Sequence, residues 1–149
     1  MGETDVYSAI QRDHQRLRRL FSQLLETPDH AFPARQQLYA QIAQSFKVHT
    51  KVEDDTFYAA LEPYEAARDL VADAYEDHQR LLELLDEIDS LTADDEEWQE
   101  LVMELKAEME SHIDAEEIDL FPLAQELLGD EEAQALGQRF QQVNNQARP

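Results

Sequence analysis

The sequence predicts an all-α chain: an up-down-up-down four-helix bundle built from two repeated αα-hairpins, with a short fifth helix at its C-terminal end. Three observations lead there. Apolar residues recur at three- and four-residue steps almost throughout. The 3 glycines and 5 prolines fall where such helices should stop. No stretch alternates apolar and polar residues, and β-branched residues never cluster as they do in strands.

The first helix is expected over about 5–26, with Thr4 as its N-cap and Ile10, Leu17, Leu20, Phe21 and Leu24 inward. Two prolines make Thr27 to Pro33 a loop, and His30 within it reads as a surface histidine. A second helix over about 33–61 begins at Pro33, a residue suited to a first helical position, and stops at Pro63. Its face carries Leu38, Ile42, Phe46, His49, Glu53 and Phe57. The third helix, about 65–91, turns Leu70, Ala74, His78, Leu81, Leu82, Leu85 and Ile88 inward. The turn Thr92 to Asp95 is rich in capping residues, and the fourth helix should follow over about 95–121. It turns in Trp98, Leu101, Val102, Leu105, Met109, His112, Glu116 and Leu120, and Pro122 should kink or end it. A shorter helix follows Gly129 and Asp130, over about 130–143, before a frayed tail. Residues 1–149 thus read as one domain with its bundle over about 5–128.

Composition removes several function classes. Lys and Arg number 12 against 34 Asp and Glu, a net charge of −22. Such a surface repels polyanions, so nucleic acid and anionic membranes are excluded as partners. The chain has no cysteine, which removes disulfides, thiolate nucleophiles, Fe–S clusters and Cys-ligated zinc. No signal-peptide run or membrane span is visible, so a cytoplasmic protein is expected. Arg outnumbers Lys by 9 to 3, which fits a salt-rich habitat or plain solubility.

A repeat organises the chain. Asp13-His14-Gln15-Arg16-Leu17 recurs as Asp77-His78-Gln79-Arg80-Leu81, 64 positions on. The helix after each copy carries His-x-x-x-Glu, first as His49 to Glu53 and then, 63 positions on, as His112 to Glu116. Each hairpin thus offers one His from its first helix and a His/Glu pair from its second. Residues four apart share a helix face, so His49 points with Glu53 and His112 with Glu116.

Four His and two Glu therefore converge on a core of Leu, Ile, Phe and Met. Buried carboxylates without partners are costly, and a metal resolves the cost. Imidazole and carboxylate suit Fe, Zn, Mn or Ni. Six donors exceed the need of a four-coordinate zinc, whereas two metals sharing two carboxylates use all six, as in carboxylate di-metal bundles. Glu is 19 of 149 residues, so one His with a Glu four later carries no information. Two such pairs inside a repeat, on apolar faces, do. Asp13 and Asp77 each precede a His and sit about 100° round the helix from it, as partners of a neighbouring helix or as solvated acids.

The ordered set His14, His49-Thr-Lys-Val-Glu53, His78 and His112-Ile-Asp-Ala-Glu116 resembles the hemerythrin-like family, also called the HHE cation-binding domain. Phe57-Tyr58 and Leu120-Phe121-Pro122 match the apolar end of that family's HxxxE segment. The resemblance covers residues 5–128. It implies a non-haem centre of two iron ions, oxo- or hydroxo-bridged, with zinc or manganese as substitutes. His14 and His49 would hold one iron, His78 and His112 the other, and Glu53 and Glu116 would bridge. Oxygen-carrying members have a fifth His, through H-x-x-x-H on the third helix. Here Ala74 and Leu82 flank His78 at that spacing, so the resemblance implies an open position on either iron, for water, peroxide or another side chain. Tyr75 and Tyr7 lie near the metal-facing stripe, as nearby phenols or as core residues.

Three functions are compatible with this reading. The chain binds or senses oxygen, nitric oxide, iron or redox state, passing any signal to a protein partner. Alternatively it is a di-iron enzyme that reduces peroxide or nitric oxide or oxidises ferrous iron. The third is a bundle that merely holds a divalent metal.

Overall fold

The computed structural model describes residues 4–147. Helix α1 spans Val6–Glu26 and α2 spans Phe32–Glu53. The second rod continues through a π-helical turn, Asp54–Tyr58, into the single turn α3, Ala59–Leu61. A 3₁₀ turn, Glu65–Ala67, leads into α4, Arg68–Asp89. Helix α5 spans Glu96–Ala115 and passes through a second π-helical turn, Glu116–Leu120, into α6, Phe121–Ala147. No strand occurs among the described residues. None of their helices is long and apolar enough to cross a membrane.

Local chemistry sets the ends. Asp5, rather than Thr4, caps α1, its Oδ1 accepting from the Ser8 N–H at 2.8 Å. Asp95 caps α5 by accepting from the Glu97 N–H. The far end of α1 is held by a buried arginine, with Arg35 Nη1 donating to the carbonyls of Leu24 and Thr27 at 3.1 and 3.0 Å. That gives the Thr27 carbonyl a partner and adds a second donor to Leu24, whose carbonyl also accepts from the Thr27 N–H.

Pro122 does not stop its helix. It is the second residue of α6, just after the π-helical turn, where the ladder is already displaced and a missing N–H is tolerated. The real break is at Gly129, whose φ of 77° lies in the left-handed region open to glycine.

The core is two apolar clusters. One gathers Val6 and Ile10 of α1, Phe57 and Tyr58 after α2, Val71 of α4, and Leu120 and Phe140 beyond α5. The other gathers Leu17 and Leu24, Ile42 and Phe46, Leu81 and Leu85, and Trp98 and Leu105. Along the chain α1 passes from the first cluster to the second, α2 returns, α4 goes out again and α5 returns. That is the up-down-up-down order. All four rods switch clusters at the same height, and there the sequence places His14, His49, His78 and His112.

Candidate metal centre

Between the two clusters the apolar pattern gives way to six buried polar side chains. His14, His49, Glu53, His78, His112 and Glu116 are each at most 5% exposed. They fall into two overlapping groups that could each hold a metal ion. One is His14, His49, Glu53 and Glu116, and the other is Glu53, His78 and His112; within each, the donor atoms all lie within 4.8 Å of one another. Glu53 belongs to both.

The inner atoms face one another. His14 Nε2 lies 3.2 Å from Glu116 Oε1, and His49 Nε2 lies 3.4 Å from Glu53 Oε1. His78 Nε2 is 3.1 Å from Glu53 Oε1 and 3.1 Å from His112 Nε2. Yet His14 Nε2, His49 Nε2, both Glu53 oxygens and Glu116 Oε1 have no hydrogen-bond partner. Buried polar atoms left unpaired are expensive. Convergent, acceptor-rich and unpaired, this set fits a cation.

Each imidazole is held from behind by a carboxylate at Nδ1. His49 meets Asp13 at 2.8 Å and His112 meets Asp77 at 3.1 Å. His14 meets Glu117 at 2.6 Å and His78 meets Asp54 at 2.8 Å. Such a pair leaves Nε2 free for a metal and fixes the ring's orientation. The arrangement repeats with the sequence. The acid before each hairpin's first His braces that hairpin's second His. The acid after each Glu braces the first His of the other hairpin. Asp13 and Asp77 are thus interhelix partners rather than solvated acids. The only mark of Asp54 and Glu117 in the sequence is that an acid follows the Glu in both copies.

The π-helical turns begin at Asp54 and at Glu116, so they too repeat. Such turns insert an extra residue into the helix and often sit at functional sites. Here the first one brings Tyr58 round to the centre. Its hydroxyl donates to Glu116 Oε2 at 2.5 Å and lies 3.4 Å from His78 Nε2. The corresponding residue of the second half is Phe121, which packs on Tyr7 and Phe57 instead. This phenol breaks the symmetry of the site. The other tyrosines stand off: Tyr75 donates to Glu62 at 2.7 Å, and Tyr7 sits edge-on against Phe57 and Phe121. His30 is exposed in its loop.

Electrostatics follow from the crowding. Burial raises the Glu116 carboxyl above the usual range, and the neighbouring Glu53 charge raises it further. Burial would also raise Glu53, but His49 and His78 outweigh it and hold that carboxyl well below its ordinary value. Two carboxylates in one buried place thus divide their roles. Burial opposes charge on His14 and His49, but the carboxylates around them prevail and raise both. Tyr58 is raised by burial and by the Glu116 charge.

The comparisons with known proteins agree with this geometry. The hemerythrin HHE cation-binding domain family matches residues 5–124. The chain belongs to that family. Among solved structures it is similar to a hemerythrin HHE cation-binding domain-containing protein from Mycobacterium kansasii, with a TM-score of 0.86. The two share 24% sequence identity over 97% of this chain and 87% of the other. Comparison with curated proteins finds no match.

Proposed function

We propose that the chain is a non-haem di-iron protein that binds or senses a small molecule such as oxygen, nitric oxide or peroxide. His14 and His49 hold one metal, His78 and His112 the other, with Glu53 and Glu116 as the carboxylates between them. One observation carries this: two groups of buried, convergent donors share Glu53, and in the His14/His49 group the inner atoms have no hydrogen-bond partner. A single ion would leave His donors of the other group unused. Histidine and carboxylate donors suit iron, and zinc or manganese could substitute. Bound iron supplies reversible electron exchange and open coordination positions; the chain supplies orientation and a dry, apolar surround.

The test is iron per chain together with the visible spectrum, recorded on reduced anaerobic protein and again after air. Two irons with a new charge-transfer band that bleaches on degassing are expected. No iron and no band, in protein grown with ample iron, would sink the di-iron reading. Glu116→Ala should lower bound iron well below two per chain, and full occupancy in that variant would remove Glu116 from the centre.

A second reading, redox catalysis on peroxide or nitric oxide, is favoured by Tyr58. Its hydroxyl bridges Glu116 and His78, so a proton donor stands at the centre itself. Catalytic loss of peroxide, with a band that does not reverse, would select this reading over simple binding.

A further inference from the structure

We propose that divalent metal ions reach the centre from one side only, through a cleft between α4 and α5 that opens on the His78/His112 group. This rests on the di-metal reading above and adds the route and the direction of loading.

The braces repeat, but their surroundings do not. The Asp13–His49 pair lies under α6. Asn144 Nδ2 stands 3.4 Å from both Asp13 carboxylate oxygens. The Phe140 ring, fully buried, packs with its centroid 6.1 Å from that of His49. Helix α6 can come this close because residue 137 is glycine. A Cβ there would press on the Thr4 carbonyl oxygen and come within 2.5 Å of the Asp5 carbonyl carbon.

The corresponding Asp77–His112 pair has no such cover. Beside it runs a cleft of about 360 Å³, walled by α4, α5 and the turn after α5. Ala74, Asp77, His112 and Glu116 line it. The side chain of Asp77 is 26% exposed, against 12% for Asp13. Ala74 sits one turn before His78 and offers only a methyl group, so nothing on that helix fills the space. Glu116 is 3% exposed, and its Oε1 has no hydrogen-bond partner. Glu116 thus lines the cleft while its Oε1 lies 3.2 Å from His14 Nε2, so one side chain borders both the cleft and the far donor group.

Charge at the mouth suits the same traveller. Asp73, Glu76 and Asp119 are exposed along the cleft. The cation beside them, Arg80, is paired with Asp77 at 2.5 Å. Three unpaired acids around a concave opening draw cations in and hold anions off.

The test is the rate of Co(II) uptake by metal-free full-length protein, followed by cobalt absorption in a stopped-flow instrument. The variant Asp73→Asn/Glu76→Gln/Asp119→Asn removes three charges from the mouth. It should slow uptake by about tenfold or more at low salt, and the gap should close as salt rises. Final cobalt per chain should not change. A control, Glu96→Gln/Glu100→Gln/Glu104→Gln, removes the same charge from the exposed side of α5 and should leave the rate within about twofold of wild type. Ala74→Leu, which fills the cleft, should slow uptake at every salt concentration. Equal slowing by both triple variants, or none by the first, overturns the route. Failure of wild-type protein to take up cobalt at all would instead overturn the di-metal reading, and the route with it.

Discussion

Metal-free protein should lose stability as pH rises from about 6.5 to 9, while its affinity for metal rises over the same interval. His78 shows the size of the effect. Burial alone would lower its pKa, but the Asp54 and Glu53 carboxylates beside it prevail and raise it from 6.5 to about 9. A folded-state value above the unfolded one stabilises the fold fully below the unfolded pKa, and that stability is lost as pH climbs through the folded value. At about 1.4 kcal/mol per unit, His78 contributes on the order of 3 kcal/mol at pH 6 and almost none above pH 9. His14 and His49 are raised too, so they act in the same sense. Metal requires those imidazoles neutral, so binding should strengthen as they deprotonate. The assay is urea unfolding of chelator-treated protein at pH 6, 7.5 and 9, with cobalt affinity measured at the same three values. Equal unfolding free energies at pH 6 and 9 would refute the reasoning. So would His78→Gln protein that keeps the full pH slope.

Three further outcomes can be checked. Asp13→Ala and Asp77→Ala each remove the acid behind one imidazole, and each should weaken metal binding by about 10- to 100-fold in a chelator competition; unchanged affinity would make those acids ornamental. Tyr58→Phe leaves Glu116 Oε2 without its donor and should cost metal-free protein about 1–3 kcal/mol in denaturant unfolding. Gly137→Ala pushes a methyl into the backbone of Thr4 and Asp5 and should destabilise by about 1–3 kcal/mol, read as a lower melting temperature.

The helices were legible in the sequence because burial here follows a regular period, and the two prolines around the first loop mark one of its breaks. The six inner residues were legible because the repeat sets them in register on apolar faces. What escaped was any feature that changes the phase of a helix. A π-helical turn shifts the face by one residue without altering composition, so Tyr58 reads as the apolar end of a segment and Pro122 as a kink or an end. Asp54 and Glu117 escaped for a related reason. Their partners lie on the opposite hairpin, and no spacing within one helix points across the bundle.

Those crossing acids also govern how the chain comes apart. Within either hairpin one imidazole is held by that hairpin's own aspartate, while the other depends on an acid of its mate. Pull the hairpins apart and His14 and His78 lose their braces together, while Glu116 parts from His14 and Glu53 from His78. Neither half retains a complete donor group. Opening is therefore one cooperative event rather than the sequential loss of two units, and amide exchange near His14 and near His78 should share a single free energy.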